Sequence, residues 1–149
     1  MDDPKASLQA ALKAAMLNKD NGRRDVLRMT LSAIKQAEVD TRRELSAEDA
    51  VAVLQKEAKT RREGIEEMER AGQAEAAAQA RADLAILEEF LPRQLTRAEI
   101  EALAREAIAQ TGAAGAQDMG RVMGALMPRV RGLADGGLVN QVVRELLRT

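Results

Sequence analysis

Apolar residues recur at steps of three and four along almost the whole chain, and this spacing constrains the fold more than any other feature. Such steps return a side chain to one face of an α-helix, whereas a half-buried strand requires strict alternation. Phe90 is the only aromatic residue, and most other apolar residues are Ala, Leu, Val, Ile and Met. Because this mixture, with its Glu, Arg, Gln and Lys, favours helix over strand, the sequence predicts an all-α protein.

Turn and capping signals divide the periodic segments into seven predicted helices. Two capping-box patterns, Ser46 with Asp49 and Thr96 with Glu99, each mark a helix start. Pro128 should end or bend the sixth helix. The other signals are residues 18–22, residues 71–72, Pro92 as the end of the fourth helix, residues 112–115, and Asp118 and Asp135 as N-caps of the last two helices.

The segment 91–95 is the best candidate for a domain boundary, because Pro92 stops one helix and the Thr96 capping box begins another immediately afterwards. Seven of the ten glycines lie after Pro92, so the second half contains most of the positions where the backbone turns sharply or is approached closely. The sequence therefore predicts an N-terminal four-helix domain at residues 1–92 and a small C-terminal three-helix domain at residues 96–149.

The composition excludes several classes of chemistry. The chain contains neither Cys nor His, which removes disulfides, thiolate nucleophiles, the Ser-His-Asp triad and the commonest metal ligands. We therefore predict no catalytic residues, no metal site and no cofactor. No apolar run approaches the roughly 20 residues that span a bilayer, and residues 1–5 include two acids, so we expect a cytoplasmic protein without a membrane partner.

Net charge alone indicates no nucleic-acid partner, since 23 Lys and Arg stand against 24 Asp and Glu. The segment 120–132 is an exception, because it contains Arg121, Arg129 and Arg131 and no acid. It is the longest well-patterned basic stretch in the sequence.

Within that stretch, Gly120 and Gly124 would share one face of a helix, with Arg121 beside them and a Met, Val and Leu stripe opposite. One interpretation is that a neighbouring helix packs closely against the bare backbone. The other is that a phosphate backbone approaches this face, where arginine can bind it through two hydrogen bonds. The sequence leaves both interpretations open.

Other charged motifs give weaker indications. The first N–H groups of the last helix, at residues 135–137, could bind phosphate, but an N-capping Asp135 would occupy these donors and repel anions. The arginine pairs at residues 23–24, 42–43 and 61–62 have acids within one turn and are typical of a solvated, ion-paired surface. A contact surface for RNA or protein is the alternative there.

Four stretches closely resemble the GatB/YqeY family, namely residues 118–140, 84–95, 25–29 and 32–35. The resemblance covers nearly the whole chain and is most specific in the last forty residues. It implies a two-part all-helical relative of the tail of the B subunit of the amidotransferase that converts mischarged Glu-tRNA(Gln) or Asp-tRNA(Asn) to the correct amide. In that enzyme the tail is a tRNA-recognition appendage, and the carbon–nitrogen ligase chemistry, with glutamine as amide donor, lies in other domains.

The resemblance adds Asn140, from the same motif, to the candidate RNA-binding residues Gly120, Arg121, Gly124, Arg129 and Arg131. We therefore predict a non-catalytic tRNA-binding accessory module that recognises RNA by shape and backbone, because aromatic side chains for base stacking are lacking. The alternative is a helical adaptor that docks on an amidotransferase, an aminoacyl-tRNA synthetase or another partner through Met119, Met123 and Met127. An autonomous ligase is the weakest hypothesis, since a phosphate-cradling loop, His and Cys are all missing.

Overall fold

The computed structural model describes residues 2–148, and within this range every regular element is a helix. The predictions of an all-α chain and of seven α-helices are confirmed, and a short 3-10 turn lies before the sixth. The elements are α1 (Pro4–Leu17), α2 (Asn21–Thr41), α3 (Ala47–Arg70), α4 (Ala74–Glu88), α5 (Arg97–Thr111), the 3-10 turn (Ala116–Asp118), α6 (Met119–Val130) and α7 (Gly136–Arg148).

The chain forms two compact units, Met1–Pro92 and Arg93–Thr149. Helices α1 to α4 belong to the first unit and α5 to α7 to the second. Whether each unit is a domain that folds by itself stays a prediction.

In the first unit, α3 packs along α4 and α1 packs along α2. The fully buried side chains include Leu8 of α1, Leu27 and Ile34 of α2, Leu54 of α3 and Leu87 of α4. One buried polar residue, Thr30, satisfies its hydroxyl by donating to the carbonyl of Val26 at 2.8 Å. Each helix therefore places one apolar stripe in a common core.

The second unit has its own core, built mainly from the apolar faces of α6 and α7. Ile100 of α5 and Leu126 of α6 are fully buried within it. The segment before α5 also belongs to this unit, because the Leu95 N–H donates to the Leu133 carbonyl at 2.7 Å. The side-chain amide of Gln94 donates to the carbonyl of Gly132 at 3.0 Å.

The predicted capping interactions are present at three helix starts. The hydroxyl of Ser46 accepts from the Asp49 N–H at 3.1 Å, and Thr96 and Glu99 form a complete capping box. The carboxylate of Asp135 accepts from the Leu138 N–H at 3.2 Å. These side chains satisfy donors that the first turn of a helix leaves free.

Two predicted helix boundaries require correction, the start of α6 and the end of α4. The Asp118 side chain does not cap α6; it accepts from the Ala114 N–H at 2.9 Å and closes the preceding turn. Helix α4 ends at Glu88, before Pro92, because the backbone tightens into i to i−3 hydrogen bonds ahead of the proline. Of the two effects expected of Pro128, ending α6 is ruled out, because the helix continues to Val130; bending stays a prediction.

Candidate nucleic-acid interface

Helix α6 has one buried face and one open face. Val122, Leu126 and Val130 are completely buried against the core of the second unit. Gly120 and Gly124 are exposed and lie one turn apart, followed one turn later by Pro128. The outward side of α6 is therefore a strip of bare backbone, which we call the α6 glycine face and define by Gly120, Gly124 and Pro128.

No neighbour in the second unit requires these two glycines. A Cβ atom built at Gly120 or Gly124 meets no neighbouring atom within 4 Å, and neither residue has a positive φ angle. Close packing of another helix of the second unit, one form of the first interpretation of the sequence, is therefore wrong. An exposed glycine in a helix destabilises it by roughly 0.5–1 kcal/mol relative to alanine. Folding of the second unit does not account for two such residues.

The α6 glycine face also contains a backbone acceptor that the helix does not use in the normal way. The nitrogen of Pro128 has no hydrogen, so it cannot donate to the carbonyl of Gly124 four residues earlier. The carbonyl of Gly124 therefore receives no hydrogen bond from residue 128.

The candidate arginines of α6 are ion-paired, although their own segment contains no acid. Arg121 donates through Nη2 to Oδ1 of Asp118 at 2.9 Å, and Arg129 donates through Nη2 to Oε2 of Glu106 at 2.8 Å. A hydrogen bond from the Ala114 backbone, and then one from Arg121, lower the pKa of Asp118 below its usual value. The local positive charge is therefore smaller than the sequence of the segment suggests.

These ion pairs leave both guanidinium groups accessible. The side chains of Arg121 and Arg129 are 60% and 40% exposed. An exposed ion pair contributes at most about 1 kcal/mol. A phosphate that binds bidentately can therefore replace the carboxylate without a large loss of stability.

The other two candidate residues, Arg131 and Asn140, do not belong to helix α6. Arg131 is exposed and directly follows α6. Asn140 lies on α7, is partly buried, and accepts through Oδ1 from Arg144 at 2.9 Å. The structure thus places two glycines on one face of α6 with Arg121 and Arg129 on the same helix, while Asn140 belongs to another helix.

The methionines proposed for an adaptor surface are engaged elsewhere. Met119, Met123 and Met127 are partly buried and pack against the core of the second unit. They do not form an exposed methionine stripe.

Sequence reasoning missed a second charged surface, in the first unit. Residues 4–37 contain seven lysines and arginines against two aspartates, a local charge of +5 in a chain whose net charge is −1. The net charge concealed this segment, because acids elsewhere in the chain offset it. A shorter counting window would have found it.

The fold and the α6 glycine face together define an all-helical protein with an arginine-flanked surface of exposed backbone. None of the helices in residues 2–148 is long and apolar enough to cross a membrane. A family model described as Yqey-like protein matches residues 5–147, and the chain therefore belongs to the YqeY-like family. This result confirms the resemblance found in the sequence. A comparison with curated proteins found no match.

Proposed function

We propose that this protein is a non-catalytic tRNA-binding accessory module, similar to the tail of the amidotransferase B subunit, and that the α6 glycine face contacts the RNA. The observation that supports this most strongly is the exposure of Gly120 and Gly124, which have no steric or conformational role in the second unit. Bare backbone lets a sugar–phosphate strand come closer than any side chain would permit. The proposal implies a cytoplasmic protein that accompanies an amidotransferase or an aminoacyl-tRNA synthetase.

The arginines supply the charge in this mechanism. Arg121 and Arg129 are eight residues apart, about two helical turns or 12 Å along α6. Each exchanges its present carboxylate partner for a phosphate oxygen, which keeps the guanidinium hydrogen-bonded throughout. Arg131 extends the same segment beyond the end of the helix.

The backbone acceptor gives the surface a preference for RNA over DNA. A ribose 2′-hydroxyl can donate a hydrogen bond to the Gly124 carbonyl, which receives none from Pro128. Deoxyribose has no such donor. Recognition of this kind depends on shape and sugar and is independent of base identity, as expected for a chain with a single aromatic residue.

Filter binding of total tRNA over a series of salt concentrations tests the proposal. Arg121→Ala and Arg129→Ala should each weaken binding to all tRNA species and reduce the slope of log K against log salt by about one. Arg105→Ala, an exposed arginine of α5, is the matched control and should change neither quantity. Unchanged affinity in both α6 variants would refute the proposal.

A further inference from the structure

Every large hydrophobic side chain classed as exposed in the described chain lies on α1 or α2. Met16 and Leu17 at the end of α1 are 50% and 75% exposed, and Met29 and Val39 on α2 are each 62% exposed. Isolated exposed apolar residues are common on soluble proteins, whereas contiguous ones, such as the neighbours Met16 and Leu17, mark an interaction surface. Helices α1 and α2 pack directly on each other.

The apolar residues of α1 form a shallow groove. It has a volume of about 470 Å³ and is lined by Leu12, Lys13, Met16 and Leu17, together with Gln9. Arg28 of α2 joins this groove to the neighbouring helix, since its Nη2 lies 3.8 Å from the sulfur of Met16.

Cations without acidic partners surround these apolar residues. None of Lys13, Arg28 and Lys35 forms an ion pair within residues 2–148. In the same range, the sulfur of Met16 is the only hydrogen-bond acceptor that the Arg28 side chain contacts. Other cations of the same two helices do have acidic partners, since Lys5 pairs with Glu38 and Arg23 pairs with Glu89.

The position of the unpaired cations follows the helix period of α2. Arg28, Lys35 and Val39 are separated by seven and four residues, so they share one face of the helix. Positive charge and exposed apolar area therefore occupy the same side of α2. The α1 groove, with Lys13 beside Met16 and Leu17, has the same combination.

We infer that this α1–α2 surface, defined by Lys13, Met16, Leu17, Arg28, Lys35 and Val39, docks an acidic amphipathic helix of a partner protein. Apolar side chains of that helix cover Met16, Leu17 and Val39, and its flanking carboxylates pair with Lys13, Arg28 and Lys35. The exposed apolar area favours a protein ligand over a nucleic acid, whose backbone would use the cations and leave the hydrophobic residues uncovered. This inference does not depend on the RNA proposal, which concerns the other unit.

A displayed library of 18-residue helical peptides, selected against the chain of residues 1–149, tests the inference. We expect the enriched peptides to have an apolar stripe at i, i+3, i+4 and i+7 flanked by Glu or Asp. Binding of a fluorescein-labelled enriched peptide, measured by anisotropy, should weaken about tenfold for Leu17→Gln and for Lys13→Glu. Arg105→Glu, the same charge change in the second unit, is the control and should bind normally.

A charge exchange separates docking from folding. Changing the peptide carboxylates to lysines should abolish binding to the natural protein and restore binding to the Lys13→Glu, Arg28→Glu double variant. Circular dichroism melts of all variants should be unchanged, since the replaced side chains are exposed.

Several results would overturn the inference. They are the absence of enriched peptides, enrichment of neutral or basic ones, and equal binding by Leu17→Gln. Loss of affinity for total tRNA, or for phosphatidylglycerol vesicles, in Lys13→Glu without loss of peptide binding would instead assign the surface to RNA or to lipid.

Discussion

Arg129 of α6 donates a hydrogen bond through Nη2 to Oε2 of Glu106 on α5 at 2.8 Å. The two residues are 23 positions apart in the sequence, and packing of α5 on α6 brings them together. If Arg129 binds phosphate, Glu106 is its intramolecular competitor. The carboxylate then lowers RNA affinity.

Removing this competitor should strengthen RNA binding. Glu106→Gln frees the Arg129 guanidinium, and because an exposed ion pair contributes at most about 1 kcal/mol, the affinity for tRNA should rise by up to about fivefold. The salt dependence should also become steeper. Filter binding at two salt concentrations measures both effects. Glu101→Gln is the matched control, since Glu101 lies on the same helix but pairs with Arg97; an equal gain in both variants would contradict a specific role for Arg129.

Substitutions of the exposed Gly124 should preserve or raise the stability of the protein, whereas a large side chain at this position should weaken tRNA binding. Gly124→Ala should stabilise the protein by about 0.5–1 kcal/mol, because the added Cβ meets no neighbour and alanine is the better helix former. Gly124→Leu should also leave the melting temperature intact but weaken tRNA binding, since its side chain separates the backbone of α6 from the ligand.

Gly64 of α3 provides the control for these glycine variants. It is also helical, and a Cβ built there meets nothing within 4 Å. Gly64→Ala should therefore raise the melting temperature as Gly124→Ala does, and Gly64→Leu should not alter tRNA affinity. If Gly124→Leu binds tRNA normally, the α6 glycine face is not the interface.

Helix number and most helix limits could be predicted because their signals are local. The periodicity of α3 and the caps at Ser46 and Thr96 involve residues within a few positions of each other. The role of Asp118 could not be predicted in the same way. A three-residue 3-10 turn has no measurable period. Only the path of residues 112–118 decides whether the carboxylate accepts from the first backbone N–H groups of α6 or from the Ala114 N–H.

The electrostatics of the candidate interface depended on tertiary packing, which no sequence window contains. Glu106 reaches Arg129 only because α5 packs on α6, so the segment looked more basic in the sequence than it is in the fold. The exposure of Gly120 and Gly124 likewise depends on where the neighbouring helices pack, which the local sequence does not contain. Spacing alone placed both glycines on one face but could not show that this face is uncovered.

The second unit should fold alone when the segment before α5 is included. A fragment of residues 93–149 retains the hydrogen bonds from Leu95 to Leu133 and from Gln94 to Gly132, and it contains the whole core around α6 and α7. A fragment of residues 96–149 lacks both bonds. Thermal melts followed by circular dichroism should show cooperative unfolding of the longer fragment, with a melting temperature above that of the shorter one. A gradual, non-cooperative melt of residues 93–149 would show that the unit needs the rest of the chain.

The stability of the first unit should depend on pH through Glu38. Both carboxylate oxygens accept from Nζ of Lys5, at 2.9 and 3.1 Å, and one also accepts from the Leu45 N–H at 3.0 Å. The hydrogen bond from Lys5, and then that from Leu45, lower the pKa of Glu38 below its ordinary value of 4.5. A carboxyl whose pKa is lower in the folded state stabilises the fold above the unfolded-state pKa, and this stabilisation is lost as the pH falls through the native pKa.

Glu38→Gln should therefore lower the melting temperature near neutral pH, and the difference from the natural protein should shrink as the pH falls below 4.5. Melting curves recorded from about pH 7 to about pH 2 would follow this change. Glu63→Gln, at an exposed position in the interior of α3, is the control and should leave the melting temperature nearly unchanged. At the lowest pH the protonated glutamate and the glutamine are both uncharged and should be equivalent partners for Lys5. A difference in melting temperature between Glu38→Gln and the natural protein that stays constant down to that pH would therefore contradict the assignment.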